Sequence, residues 1–248
     1  MPWNRDGNRR IAALLLLPLL ALVLRSQTTP APVPATPNSV PPQPTQQPAA
    51  PLILIDPAHG GADSGAALNA AIPEKDVTLV LARRLRQELN SRGLESQLLR
   101  DADIALTADQ RAANVNALHP ALYIVIHASS QGSGMRLYTA ILPAAQEGRG
   151  PFLDWQTAQA SALTRSRYIQ SQITASIQKT GFPLRSLTAP LRPLNNVTVA
   201  AIAMELAPTT GDVSQLASPD YQQMVCRALA NGIVSAAPLF RARLGSTQ

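Results

Sequence analysis

The sequence predicts an α/β fold, a single domain with a twisted, mostly parallel or mixed central sheet flanked by helices. Three observations predict it. From Leu52 onward, short apolar runs alternate with segments of helical periodicity, as in chains whose strands are joined by helices. Apolar residues make up 46% of the 248 residues, which is enough to build a substantial core. An apolar segment and a proline-rich linker precede this region, and neither has the pattern of a packed domain.

The N-terminal segment, residues 1–27, has the pattern of a signal peptide or a signal anchor. Arg5, Arg9 and Arg10 precede an apolar run at residues 11–24, which is short for a bilayer span and typical of a secretory segment. No Ala-x-Ala cleavage site follows, and Val33–Ala35 is the nearest substitute. Cleavage and retention as an inner-membrane tether therefore stay open. Both predict an exported protein in the periplasm or cell envelope.

Residues 28–51 form a proline-rich linker. The segment holds nine prolines in 24 residues, with no charge and no glycine. Such a sequence cannot bury a core and favours an extended, semi-rigid chain of about 3.1 Å per residue. The linker thus separates the N-terminal segment from a predicted folded domain at residues 52–240.

Charge and aromatic content argue against a nucleic-acid partner. Aromatic residues make up only 4% of the chain, so stacking platforms for bases are scarce. The net charge of +6 falls to +3 without residues 1–50, because 17 basic residues then face 14 acidic ones.

Cys226 is the only cysteine, which excludes an intramolecular disulfide.

The strands are predicted from apolar runs bounded by turn residues. Five such runs occur, and each is four or five residues long. They are Leu52–Ile55, Ser96–Leu99, Leu122–Ile126, Met135–Thr139 and Ala200–Met204.

The helices are predicted from periodicity and capping. Val77, Leu81, Leu85 and Leu89 recur every four residues and share one helical face. Thr107–Gln110 has the pattern of a capping box, which opens a helix toward residue 118. Two further helices are predicted at residues 155 to about 180 and 220 to about 236, and residues 143–155 have the composition of a surface loop.

Two histidines and one glutamate come at or shortly after the ends of predicted strands. His59 comes after the first strand, His127 after the third and Glu205 after the last. In open α/β sheets, ligand sites lie beyond the carboxyl ends of the strands. Glu74 joins this group differently, at the first turn of the helix that follows a glycine-rich turn. The sequence therefore predicts one site at this edge of the sheet.

The residue types in this group indicate metal-dependent hydrolysis. Two imidazoles and one carboxylate are a ligand set of catalytic Zn²⁺, which leaves a fourth position for water. Zinc lowers the pKa of that water, and a second carboxylate is then needed to carry its proton to the leaving group. The wide spacing of these residues does not decide which glutamate has which role.

At these positions the chain resembles the zinc-dependent N-acetylmuramoyl-L-alanine amidases of bacterial cell walls. The segments IDPAHGGADSGA and PEKDVTLVLARRLRQEL resemble the parts of the family that carry a histidine and a glutamate ligand. LLRDADIALTADQRAANVNALHPALYIVIHAS resembles its run ending in a second histidine, and AIAMELAP its strand with the catalytic glutamate. The resemblance implies that His59, Glu74 and His127 bind Zn²⁺ and that Glu205 is the catalytic acid and base. It also implies a peptidoglycan substrate, cleaved between N-acetylmuramic acid and L-alanine.

Several departures from the family pattern leave an alternative open. Ala58 replaces a usual glycine, while Thr78 and Ser129 replace usual asparagines. These changes concern the walls of the site, and the alternative is a catalytically weak or inactive peptidoglycan-binding module on the same fold. The sequence identifies no protein activator, and the existence of one stays open.

Each site residue also has a structural explanation. His59 and His127 could be turn and core histidines, Glu74 a helix N-terminal acid, and Glu205 half of an ion pair. His119 precedes a proline and is predicted to be a loop histidine. The acids and arginine that flank the site are predicted to shape its loops or to support a ligand imidazole; they are Asp56, Asp63, Asp101, Asp103 and Arg111.

Overall fold

The computed structural model describes residues 50–142 and 155–241. The predicted signal or anchor segment, nearly all of the linker and all but the last residue of the predicted loop at 143–155 lie outside the described residues. Within residues 50–142 and 155–241, no helix is both long and apolar enough to cross a membrane.

The described elements alternate between strands and helices. The strands are β1 Ile53–Pro57, β2 Ala67–Asn69, β3 Ile72–Pro73, β4 Ser96–Leu98, β5 Leu122–Ala128, β6 Gly134–Ala140, β7 Leu184–Ala189 and β8 Ala201–Ala207. The α-helices are α1 Glu74–Asn90, α2 Ala108–Leu118, α3 Leu163–Gln178, α4 Pro219–Ser235 and α5 Ala237–Arg241. Short 3₁₀ helices cover Trp155–Ser161, Leu194–Asn196 and Val213–Ala217.

Six strands form one mixed sheet in the order β4-β1-β5-β8-β6-β7. β1 is parallel to β4 and β5, and β5 is parallel to β8. β6 runs antiparallel to β8 and parallel to β7. The predicted mixed sheet flanked by helices is thereby confirmed, and all five predicted strands lie in it.

Helices cover both faces of the sheet. On one face, Ile53 and Ile124 belong to a buried cluster with Leu81 and Leu85 of α1. On the other face, Leu54 and Tyr123 pack in a second cluster with Val115 of α2. Because β1 and β5 are buried on both faces, their sequences are continuous apolar runs.

The predicted helices are found with one correction. The predicted capping box is present, since Thr107 Oγ1 accepts from Gln110 N at 3.1 Å and Gln110 Oε1 accepts from Thr107 N at 2.9 Å. The helix predicted from residue 155 to about 180 is wrong as a single element, because a 3₁₀ turn ends at Ser161 before α3 begins at Leu163. The buried Gln159 amide donates to Val199 O at 2.6 Å, which ties this turn to the chain just before β8.

β7 and the small β2-β3 hairpin were not predicted from the sequence. β7 has the sequence LRSLTA and is partly or fully exposed along its length, so it shows no apolar run. It pairs with β6 at the edge of the sheet, where exposed polar residues are tolerated. β2 and β3 have three and two residues, which is too short for a periodic signal.

Candidate metal centre

Three of the predicted site residues meet at the carboxyl edge of the parallel strands. His59 follows β1, Glu74 is the first residue of α1, and His127 lies near the end of β5. Each residue offers one ligand atom, and the three atoms lie within 4.8 Å of one another. Both imidazoles face the same carboxylate, with His59 Nε2 3.2 Å from Glu74 Oε2 and His127 Nδ1 2.8 Å from Glu74 Oε1. This cluster could hold a metal ion.

Glu74 is buried and receives hydrogen bonds from several directions. Oε2 accepts from Ala66 N at 2.9 Å, and Oε1 accepts from Ala128 N at 3.1 Å. Burial alone would raise the pKa of Glu74, but its bonds with His127, His59 and Ala66 outweigh burial and hold the pKa well below the usual range. Glu74 is therefore an ionised carboxylate at neutral pH, as a metal ligand must be.

The turn after β1 aims His59 at Glu74. His59 adopts a left-handed conformation with φ of 61°, and a bridge between Gly60 and Asp63 closes the turn behind it. His59 Nδ1 lies 2.9 Å from Asp63 Oδ2, so this nitrogen donates to the carboxylate and Nε2 is left for a metal. The bond with Glu74, opposed by burial and supplemented by Asp63, raises the pKa of His59.

Two buried arginines hold the same turn through its backbone carbonyls. Arg111 Nη2 donates to His59 O at 2.7 Å, and Arg100 Nη2 donates to Ala58 O at 3.0 Å. Thr78 Oγ1 also donates to Ala58 O, at 3.0 Å, so two of the departures from the family pattern contact each other. The predicted supporting role of Arg111 is confirmed, because it fixes the backbone that carries a candidate ligand.

The flanking acids Asp101 and Asp103 have hydrogen-bond and ion-pair partners that fit their predicted supporting roles. Asp103 accepts from Gly61 N at 2.7 Å and from Lys75 Nζ at 2.7 Å, which joins the turn to α1. Asp101 lies farther along and pairs with two arginines of α1, Arg83 and Arg86. Both acids are at least partly exposed and shape loops around the cluster rather than line it.

Asp56 is a fully buried acid on β1, three residues before His59. It pairs with Arg111 and accepts from the hydroxyl of Tyr123. Burial raises the pKa of Asp56, while the charge of Arg111 and the bond from Tyr123 partly offset this effect. Asp56 thus anchors the arginine that supports His59.

We expect Arg111→Met to lower the free energy of unfolding by about 3–5 kcal/mol, because it leaves a buried carboxylate without its counter-charge. Chemical denaturation monitored by circular dichroism measures the change. The double variant Asp56→Asn/Arg111→Met is the control and should recover part of the loss, since both charges are then removed. A loss below about 1 kcal/mol in the single variant would show that the pair does not support the turn.

Glu205 lies beside the cluster on β8, one of the two central strands of the sheet. It is directly opposite His127 in the parallel pairing of β5 and β8. Glu205, Glu74 and His127 line the same cavity of about 480 Å³, together with Tyr138 and Leu191. All four candidate residues were predicted to lie at one edge of the sheet, and the structure brings them to one site.

The ion pair considered as an alternative explanation of Glu205 is present. Arg136 Nη2 lies 2.9 Å from Glu205 Oε1, and Tyr138 Oη donates to Glu205 Oε2 at 2.8 Å. Burial and the bond to Glu205 raise the pKa of Tyr138, which keeps its hydroxyl a donor. Neither Arg136 nor Tyr138 was predicted from the sequence to be a site residue. Their only signal was alternation on the predicted strand, which places residues 136 and 138 on one face.

His119 lies apart from this site. It ends α2 in a left-handed conformation with φ of 47°, and its Nδ1 lies 3.2 Å from Ala117 O. The prediction of a loop histidine is confirmed. Only two of the three histidines of the chain therefore belong to the cluster.

The fold and the cluster define an α/β enzyme domain with a candidate metal centre at the carboxyl ends of its strands. Residues 53–235 match the family model Amidase_3, described as N-acetylmuramoyl-L-alanine amidase. The chain belongs to this family. The family and the enzyme class inferred from the sequence motifs are thereby confirmed.

The chain is also similar to individual relatives and to solved structures. The chain is 30% identical over 187 residues to Uncharacterized protein YqiI of Bacillus subtilis (strain 168). This alignment covers 74% of this chain and 83% of YqiI. The chain is 35% identical over 117 residues to N-acetylmuramoyl-L-alanine amidase AmiC of Escherichia coli O6:H1. This alignment covers 45% of this chain and 28% of AmiC. The solved structure of N-acetylmuramoyl-L-alanine amidase AmiC2 of Nostoc punctiforme is 26% identical, with a TM-score of 0.55 over 74% of this chain and 95% of that one.

Proposed function

We propose that this chain hydrolyses the amide bond between N-acetylmuramic acid and L-alanine in peptidoglycan, with Zn²⁺ held by His59, Glu74 and His127. The observation that carries the proposal is the convergence of these three ligand atoms within 4.8 Å, next to a cavity that Glu74, His127 and Glu205 line together. The family match supplies the bond and the substrate class.

The donor set fits zinc. Two imidazole nitrogens and one carboxylate oxygen are a ligand set of catalytic zinc sites, and Glu74 is held ionised. Asp63 supports His59 through Nδ1, which is the usual arrangement of an imidazole that binds zinc through its other nitrogen. Bound zinc would supply Lewis-acid chemistry, polarising the amide carbonyl and lowering the pKa of water.

Glu205 has the position of a proton carrier. Its carboxylate lines the cavity next to the cluster and is not one of the three clustered ligands. In the proposed reaction it takes one proton from the attacking water and gives it to the leaving amine, as the new C–O bond forms and the C–N bond breaks. One water is consumed for each amide bond cleaved, and Glu205 returns to its ionised state.

The experiment that tests the function is digestion of purified peptidoglycan sacculi by the full chain with and without Zn²⁺. Released peptides are identified by mass spectrometry. Peptides with a free N-terminal L-alanine, released only with zinc, would support the proposal. Binding to sacculi without release, at full zinc occupancy, would instead indicate the non-catalytic peptidoglycan-binding module.

Gly65 gives a sharper test of the metal site. A Cβ at this position would lie 2.6 Å from His59 Cδ2 and 2.8 Å from Glu74 Oε2. We therefore expect Gly65→Ala to displace these ligands and to weaken zinc binding about 10- to 100-fold, the cost of disturbing the surroundings of metal ligands. Competition with a chromophoric chelator measures the affinity.

Gly181→Ala is the matched control for Gly65→Ala. Both glycines have a left-handed backbone, with φ of 75° at Gly181 and 68° at Gly65. A Cβ at Gly181 meets nothing within 4 Å, so this variant carries the backbone strain without the contact. Equal zinc affinities of the two variants would contradict the proposed placement of the metal.

We also propose that the chain is exported and acts in the periplasm or cell envelope, with residues 11–24 as a cleavable leader or an inner-membrane tether. Arginines before the apolar run and the proline-rich segment after it support this location. Fusion of residues 1–51 to a reporter that is active only outside the cytoplasm tests export. Mass determination of the mature N-terminus then separates the leader from the tether.

A further inference from the structure

Three ionisable residues lie in one row across neighbouring strands at the site. Glu205 on β8 is directly opposite His127 on β5 and directly opposite Arg136 on β6. Opposed residues project to the same face of a sheet. The candidate ligand, the candidate proton carrier and a guanidinium therefore stand side by side, with the carboxylate in the middle.

The carboxylate of Glu205 is held at both oxygens from the side away from the cluster. β6 flanks β8 on the side opposite β5. From β6, Arg136 contacts Oε1 at 2.9 Å and Tyr138 donates to Oε2 at 2.8 Å. Each carboxylate oxygen can accept more than one hydrogen bond, so acceptor positions are left for the cavity.

Arg136 is itself fixed by the loop that leaves β5. Its Nη2 donates to Gln131 O at 2.7 Å, and Gly132 packs so closely that a Cβ there would lie 3.2 Å from Nη1. The loop between β5 and β6 thus contacts the guanidinium at both Nη1 and Nη2. Arg136 is consequently positioned by the same segment that follows a candidate ligand.

We propose that Arg136 and Tyr138 are positioning residues that hold the Glu205 carboxylate toward the cavity for proton transfer. This inference rests on the proposed function, in which Glu205 carries the proton. A general acid or base must lie within hydrogen-bond reach of the reacting atoms, and small misplacements are costly. A free glutamate side chain samples several rotamers, whereas this one is fixed at both oxygens. Arg136 and Tyr138 keep their own protons throughout.

The test compares Arg136→Met, Arg136→Lys and Tyr138→Phe with the parent chain on a soluble N-acetylmuramoyl peptide. We expect Arg136→Met to lower kcat about 10- to 100-fold and to leave KM within about twofold, because substrate contacts are unchanged. Arg136→Lys retains the charge and should recover part of the loss. Tyr138→Phe keeps the ring and should lower kcat without loss of bound zinc.

Arg185→Met is the matched control for Arg136→Met. Arg185 is directly opposite Arg136 on the next strand, β7, and is exposed. The control removes the same charge from the same row and should leave kcat unchanged. Zinc content and thermal unfolding of every variant are measured in parallel, so that a loss of fold is not taken for a loss of positioning.

A double-mutant cycle with Glu205→Gln separates positioning from a general effect on the site. If Arg136 acts through Glu205, then Arg136→Met costs nothing further in the Glu205→Gln background. An equal further loss in that background would overturn the inference, as would unchanged kcat in both Arg136→Met and Tyr138→Phe. Full activity of Glu205→Gln would overturn the proton-carrying role of Glu205 and this inference with it, whereas no hydrolysis by the zinc-loaded parent chain would overturn the proposed function, so the two failures are distinguishable.

Discussion

Replacing Glu205 with glutamine is expected to lower the rate of peptidoglycan hydrolysis by about 10²- to 10⁴-fold, the usual contribution of a general acid and base. The amide of glutamine has nearly the shape of the carboxylate but cannot accept and return a proton at neutral pH. Zinc binding should be unchanged, because Glu205 is not one of the three clustered ligands. Release of peptides from sacculi and zinc content by atomic absorption measure the two effects.

Glu95→Gln is the control for Glu205→Gln. Glu95 is an exposed glutamate next to the first residue of β4, at the amino end of the parallel strands. The Glu95→Gln variant carries the same chemical change far from the candidate site, and it should leave hydrolysis unchanged. If Glu205→Gln hydrolyses sacculi at the rate of Glu95→Gln, another group carries the proton and the proposed role of Glu205 is wrong.

The elements that could be predicted are those whose burial leaves a clear apolar pattern in the sequence. β1, β5 and β8 are buried almost throughout, so their apolar runs stand out from the sequence. α1 was recognisable because one face packs on the sheet and produces a four-residue period. β7 was not, because an exposed edge strand needs no apolar run.

The candidate site was predictable to a similar extent and for a different reason. His59, His127 and Glu205 come after apolar runs predicted to be strands, and the carboxyl ends of parallel strands meet at one edge of a sheet. The contact of Arg136 with Glu205 depends on β6 inserting antiparallel beside β8, and the two residues lie far apart in the sequence. No local pattern encodes that pairing, so the partners of Glu205 emerge only from the assembled sheet.

Replacing His127 with asparagine is expected to abolish zinc binding and hydrolysis together. The substitution leaves two of the three clustered ligands, and an amide is not among the usual ligands of zinc. The loss of affinity should exceed the roughly 10- to 100-fold cost of losing an outer partner of a ligand. Zinc per chain after dialysis and hydrolysis of sacculi measure the result. Removal of zinc from the parent chain by a chelator should give the same loss of activity, reversible on adding zinc.

His119→Asn is the matched control for His127→Asn. It makes the same histidine-to-asparagine substitution at the one histidine that lies outside the cluster. Asparagine tolerates the left-handed backbone at residue 119, so the cap of α2 should be retained. Full zinc content and activity are expected in this variant. If His127→Asn also retained zinc and activity, the cluster would be a hydrogen-bonded arrangement around Glu74 and the hydrolysis would have to proceed elsewhere. If it lost activity but kept zinc, His127 would act on the substrate instead of the metal.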